Sequence, residues 1–350
     1  MKSVRFFGQQ KVEVCDVSEP AIFDPHEVKV KIERAGVCRS DLHVVKGILD
    51  VNIPITLGHE AVGTVAEIGE KVTNVKIGDK VIVDYVLSCG ACESCIRGEN
   101  NLCIASKALG FEADGVFTEY ITLPETNVVK IKSVAPVDAL PVLGCAVVTS
   151  LHAIRLSNVS AGDSAIVFGV GGVGYHAVQL LKLFGLKVIA IDISDKKLEY
   201  ALKAGATLGI NPNKQSVREI VLEETQGLGA DVAFDFVGKV TEAIRCVRKG
   251  GKVVLVGISR DNITLNPMEM LLSEKAILSS MDHTRLDLVK TVKLVEEGLI
   301  DLSHSVSQVL PLEQANEAFR ILEGNIGDPI RLVLKSWSFW RYFSKRGKDV

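Results

Sequence analysis

The chain has no basic surplus. Its 40 Lys and Arg residues stand against 43 Asp and Glu, for a net charge of −3. Without a basic surplus there is no electrostatic case for nucleic-acid binding. It also has no uninterrupted apolar run. The most apolar long stretch, SAIVFGVGGVGYHAVQLLKLFGLKVIAID, is broken by glycines and by Lys182 and Lys187, so it reads as a buried βαβ unit and not as a membrane span. The N-terminal MKSVRFFGQQKVEVCDV lacks the apolar core and small-residue cleavage site of a secretory leader, and it alternates as a strand does. A cytoplasmic location is therefore expected. Thiols stay reduced there, which disfavours disulfides among the eight cysteines. There is no internal repeat and no low-complexity linker.

What remains is a chain of 350 residues, 47% hydrophobic and 24% charged, long enough for two domains with ordinary cores. Up to about residue 146, short alternating runs such as EVKVKIERAGV, AVGTVAEIG and DKVIVDY predict a β-rich, barrel-like domain. The texture then changes. SAIVFG, KVIAID, TLGI, DVAFDF, KVVLVG and AILSS are six strand candidates separated by helical stretches, the pattern of a doubly wound parallel sheet over residues 147–280. Beyond that, RLDLVKTVKLVEEGLI and LEQANEAFRILEGN predict helices and IRLVLK a strand. This last part, residues 281–335, is expected to return to the first domain.

The loop FGVGGVGYH sets Gly169, Gly171 and Gly174 in G-x-G-x-x-G register, with Gly172 and Val173 between them, after an apolar strand and at the start of a helix. The first glycine permits the tight turn, the second the close approach of a pyrophosphate to the backbone, and the third the close packing of helix on strand. Phosphates would sit on the amides of the helix N-terminus. Asp192 closes the next strand at the separation expected of a ribose-binding carboxylate. A second negative charge at about 4 Å costs roughly 4 kcal/mol at an effective dielectric near 20. A 2′-phosphate is thus disfavoured, and NAD is expected over NADP.

CGACESCIRGENNLC packs Cys89, Cys92, Cys95 and Cys103 as C-x2-C-x2-C-x7-C in a polar lobe, residues 85–105. Four thiolates suit a closed tetrahedral zinc site; an iron–sulfur cluster accepts four as well. Because the lobe has almost no apolar residues, the metal's role there is structural. A second constellation is spread along the chain. GVCRSDLH carries Cys38, Ser40, Asp41 and His43, GHEAVG carries His59 and Glu60, and GCAVVTS carries Cys145. Taken singly each is weak, since a lone cysteine in an apolar run is more often packing than ligand. Cys15 and Cys246 read that way, and spacing alone does not bring the three segments together.

These motifs, in this order and over about residues 1–335, resemble the zinc-dependent alcohol dehydrogenases of the medium-chain dehydrogenase/reductase superfamily. The resemblance implies an α/β protein: a GroES-like, β-barrel-type catalytic domain joined to a Rossmann doubly wound parallel sheet of six strands. It implies two zinc ions per subunit. Cys38, His59 and Cys145 would hold the catalytic one, and the four-cysteine lobe the structural one. A zinc-bound water has its pKa lowered from 15.7 to about 7, and a bound alcohol should be acidified likewise. Asp41 would orient His59, Glu60 would lie beside the metal in an exchange role, and a proton would leave through Ser40 toward His43. Arg39 and Arg331 would contact the pyrophosphate, Lys197 the adenosine ribose, and Thr149 and Val173 the nicotinamide.

Tyr85 falls where the family places a pocket aromatic. The substrate class implied is a small alcohol with its aldehyde or ketone. The polyol branch usually has glutamate as third ligand, so Cys145 points to the alcohol branch. The 42 positions from Cys103 to Cys145 are short for the family and lack an insertion of its dimeric animal members, which implies a homotetramer. One departure is the extension 336–350, SWSFWRYFSKRGKDV, which carries both tryptophans of the chain. It reads either as a frayed terminus or as a contact or membrane-surface segment.

Overall fold

The computed structural model describes residues 1–132 and 135–336. The extension expected to be frayed or adhesive lies, apart from Ser336, outside the described residues.

The strand Glu27–Val37 organises the first half. Its alternating valines and isoleucine are buried, and it pairs antiparallel with Glu60–Ile68, Tyr120–Pro124 and Leu332–Lys335. The resulting seven-stranded sheet runs Val128–Lys130, Lys80–Val83, Glu60–Ile68, Glu27–Val37, Leu332–Lys335, Gln308–Pro311, with Tyr120–Pro124 added on Glu27–Val37. IRLVLK thus returns across the whole chain to the first sheet. A three-stranded sheet of Lys2–Phe6, Val12–Asp16 and Ile55–Thr56 packs into the same core.

The second sheet has six parallel strands in the order Leu208–Ile210, Lys187–Ile191, Ser164–Phe168, Ala230–Asp235, Val247–Leu255, Ala276–Ser279. These are the six segments expected from their apolar runs. The order reverses between Ser164–Phe168 and Ala230–Asp235, and a doubly wound sheet binds its ligand at the carboxyl ends of the strands beside that reversal.

The segment Leu140–Ser157, a 3-10 turn leading into the helix Ala146–Ser157, is apolar and long enough to cross a membrane, but 89% of it is buried inside the protein. It is a core helix. One continuous apolar cluster runs from Val62 and Ile82 of the first sheet through Leu140–Ile154 to Val167 and Val188 of the second. The two halves are therefore packed on each other through this helix.

The helix Gly172–Leu183 buries His176 completely, and neither ring nitrogen has a hydrogen-bond partner. Burial pushes its pKa down to about 3, and the Arg331 charge adds to the effect. An unfolded chain binds that proton near pH 6.5, so stability falls as pH drops through the window from about 6.5 to about 3. His176→Leu should remove about 2 kcal/mol of this loss between pH 6.5 and 4.5. Urea unfolding of both proteins at the two pH values reads the difference, and identical pH slopes would refute it.

Candidate active site

Three loop ends meet between the sheets. Cys38 follows the strand Glu27–Val37 and caps the short helix Arg39–Val45. His59 follows Gly58, whose φ of +92° suits glycine and where a Cβ would stand 2.3 Å from the Phe117 ring. Cys145 caps the core helix Ala146–Ser157. All three side chains are buried, and their donor atoms lie within 4.8 Å of one another. Asp41 holds two of the three segments together. One of its oxygens accepts the Cys38 backbone N–H at 2.8 Å, and the other accepts His59 Nδ1–H at 3.0 Å. This leaves His59 Nε2 as the imidazole donor, the carboxylate-to-histidine support that metal ligands use.

The cluster is polarised. The hydrogen bond from Cys145 holds the Cys38 thiol well below its usual range against burial, with Arg331 and His59 helping; the same bond and burial push Cys145 well above it. Burial opposes charge on His59, but Asp41 and Cys38 outweigh it and raise that pKa.

Glu60 is fully buried beside the cluster, lying over Gly36, where a Cβ would meet its carboxylate at 2.4 Å. Burial pushes it up to about 7 even though Arg331 Nε stands 3.6 Å from its Oε1. Arg331 also donates to the Val37 carbonyl at 3.3 Å, and its guanidinium lies where a side chain on Gly172 would be, 2.7 Å from that position. One arginine thus touches both the cysteine–histidine cluster and the glycine loop.

The loop behaves as its spacing requires. Gly169 takes a φ of +88°, Gly171 has open space where a Cβ would be, and a Cβ on Gly174 would lie 1.8 Å from the Gly169 carbonyl oxygen. Gly171 caps the helix Gly172–Leu183 without a side-chain bond, so the first amides are available to an anion. Asp192 accepts the Val170 and Ser194 amides at 2.7 and 2.9 Å, which fixes its carboxylate beside the loop; each oxygen retains a lone pair. A cleft of about 620 Å³ opens between the helices Val217–Glu224 and Val240–Cys246, lined by Pro212, Arg218, Lys239 and Glu242 among others.

Lys197 is buried and donates to Asn325 at 2.8 Å; burial lowers its pKa and nearby Asp192 opposes this. Thr149 stands one turn beyond Cys145, its amide bonded to the Cys145 carbonyl. Val173 is pinned by Ser150, whose hydroxyl donates to its carbonyl at 2.8 Å. Sequence reading misses Ser150, since a serine inside an apolar helix carries no signal of its own.

Ser40 Oγ lies 3.6 Å from Cys38 Sγ. His43, on the same short helix, is half-buried, its Nδ1 has no partner, and burial lowers its pKa. Arg39 is exposed at the start of that helix. Tyr85 is buried, its ring T-shaped to His59 with 5.1 Å between centroids, and its hydroxyl donates to Asp282.

The other four cysteines form a separate lobe. Their sulfurs also lie within 4.8 Å of one another. Amide N–H groups point at them, from Cys92 to Cys89, from Cys89 to Cys103, and from Ala105 to Cys103, at 3.3–3.4 Å. Amides aimed at sulfur favour thiolate, and the Cys95 and Ile104 backbone bonds bring Cys92 down to about 6.

Comparison with known proteins agrees with this arrangement. Residues 24–133 match the family model of the alcohol dehydrogenase GroES-like domain, and residues 172–297 that of the zinc-binding dehydrogenases. An alcohol dehydrogenase of Geobacillus stearothermophilus is 34% identical over 332 residues, spanning 93% of this chain and 97% of the relative. Among solved structures, the alcohol dehydrogenase TADH from Thermus sp. ATN1 superposes with a TM-score of 0.90 at 27% identity, covering 96% of this chain and 100% of that one. Galactitol-1-phosphate dehydrogenase from Escherichia coli superposes with 0.88 at 26%, covering 96% and 100%. Two cysteine-rich clusters, a glycine loop and a shared arginine thus stand on a fold that relatives match over nearly its whole length, and the chain belongs to the zinc-dependent alcohol dehydrogenases of the medium-chain superfamily.

Proposed function

We propose that the chain oxidises small primary or secondary alcohols to aldehydes or ketones, reversibly, with zinc and NAD. The observation that carries this reading is the convergence of Cys38, His59 and Cys145 on one buried point beside the glycine loop. Two thiolates and an imidazole are a donor set that zinc accepts, with room for a fourth ligand. When bound, zinc supplies a Lewis acid for the alcohol hydroxyl and the nicotinamide a hydride acceptor.

The chain's own residues do the rest. Asp41 holds His59 in the orientation that presents Nε2. Gly169, Gly171, Gly172 and Gly174 give the pyrophosphate its approach, with Arg331 and Arg39 supplying positive charge. Asp192 receives the adenosine ribose, with Lys197 nearby, and its charge selects NAD against NADP. Thr149 and Val173 flank the nicotinamide. Ser40, next to Cys38, is the first acceptor of the hydroxyl proton, and His43, whose pKa burial lowers, passes it toward solvent. Glu60, near its own midpoint at neutral pH, acts beside the metal. Cys89, Cys92, Cys95 and Cys103 hold a second, structural zinc.

The division of labour we propose is residues 1–146 with 281–335 for catalysis and 147–280 for the nucleotide, in a cytoplasmic homotetramer. The open edge strand Ala276–Ser279 and the exposed Met268, Leu271 and Leu272 support subunit contact.

A purified sample should contain two zinc ions per chain, sediment as four chains, and reduce NAD with ethanol or 2-propanol at least about a hundredfold more efficiently than NADP, as one repelled charge of a few kcal/mol requires. Turnover confined to polyols or sugar phosphates would replace the substrate class, and turnover without zinc would sink the reading.

A further inference from the structure

The residue pair Asp84–Tyr85 is gripped by the pair Asp282–His283, which stands just past the last strand of the parallel sheet. Tyr85 Oη–H donates to Asp282 Oδ1 at 3.0 Å, and His283 Nε2–H donates to Asp84 Oδ1 at 3.2 Å. Asp282 and His283 lie in the turn between the last parallel strand, Ala276–Ser279, and the helix Arg285–Glu296. Asp282 adopts a φ of +49°, a left-handed conformation that aspartate tolerates better than most residues. The turn is held from a second side. Asn101 donates to the Met281 carbonyl at 2.8 Å, and Asn100 accepts the Arg285 amide at 2.9 Å.

The Tyr85 ring stands edge-on between two imidazoles, His59 and His283, each 5.1 Å away by ring centroids. A buried tyrosine hydroxyl needs a partner, and its hydrogen bond is to Asp282. The ring is therefore held in place at its hydroxyl end by a residue 197 positions further along the chain, while its apolar body stands against His59.

We infer that Asp282 is a positioning residue for substrate selection: by holding the Tyr85 hydroxyl, it fixes the aromatic wall beside His59 and keeps the alcohol pocket narrow. This rests on the alcohol-oxidising reading above. When the bond is lost the ring is free to turn aside, so the pocket admits a branched or aryl secondary alcohol and grips a small primary one less well. The effect belongs in KM and in the ratio between alcohols, not in a uniform loss of kcat.

The test uses full-length zinc-loaded protein and two alcohols, ethanol and 1-phenylethanol. Asp282→Ala should shift the ratio of kcat/KM toward 1-phenylethanol by about tenfold, mostly through KM. Asp282→Asn, whose amide oxygen still accepts the phenol hydrogen, should stay within about twofold of the parent. Tyr85→Phe, which keeps the ring and removes only the hydroxyl, should reproduce the Asp282→Ala shift, and combining the two should add nothing further. Tyr85→Phe also serves if Asp282→Ala folds poorly. A ratio unmoved in Tyr85→Phe, or an Asp282→Ala shift that persists undiminished on the Tyr85→Phe background, overturns the inference alone. A parent protein that oxidises neither alcohol overturns it together with the proposed function.

Discussion

Cys38→Ala should leave a chain that still binds NAD but oxidises alcohols at least about a thousandfold more slowly, because Lewis-acid stabilisation is worth several kcal/mol and each decade of rate is about 1.36 kcal/mol. The substitution removes one of three donors from a buried cluster. It spares the backbone N–H that Asp41 uses to tie the segment together, because that bond belongs to the main chain. The glycine loop and Asp192 stand on the other sheet, and Arg331, which leans on Gly172, keeps its bond to the Val37 carbonyl. NAD affinity, read by titrating the dinucleotide, should therefore stay within roughly threefold, under about 1 kcal/mol. Zinc content should fall from two ions per chain to one. Undiminished turnover in this variant would remove the metal from the chemistry altogether.

Cys92→Ser should cost more stability than any substitution in the apolar core. The lobe has little apolar packing of its own: Ile96 and Ile104 are 77% and 89% exposed, the helix Glu93–Ile96 buries no residue, and its ties to the rest of the chain include the polar bonds of Asn100 and Asn101. Structural zinc in small peptides contributes about 10–16 kcal/mol, as much as the whole stability of a typical domain. The chain cannot lose more than the lobe's share, so the outcome is local melting of residues 89–103, loss of the second zinc, and a fall in Tm of about 10 °C or more. Limited proteolysis should cut within the lobe first. The damage should travel, because Asn100 and Asn101 brace the turn that carries Asp282. An unaltered Tm and metal content would show that the four thiols hold nothing.

Local spacing makes much of this legible. The glycine loop, the C-x2-C-x2-C run and the alternating strands each encode their geometry within a few residues, and the structure reproduces the positive φ at Gly169 and the tight approach at Gly174. The family resemblance supplies the grouping of Cys38, His59 and Cys145, which no spacing rule could. Neither source indicates that Arg331 rests on both Gly172 and Glu60, or that Asp84 and His283, 199 positions apart, are bonded. Such contacts depend on how two sheets dock, and docking is decided by the shared apolar cluster around the core helix, not by any short motif. The family resemblance expects a pocket aromatic at Tyr85; that its hydroxyl is spent on Asp282 requires the fold.

The strand Leu332–Lys335 lies directly beside the strand that leads into Cys38, with Arg331 and Val37 bonded across 294 positions of sequence. On a ribosome adding about 5–20 residues per second, Glu27–Val37 waits roughly 15–60 seconds for this neighbour. During that wait the six parallel strands can assemble, while the place beside Cys38 stays open on one flank. Translation halted before residue 331 would release a product lacking the arginine that lies against both Glu60 and Gly172, so neither centre is complete until the last strand is made.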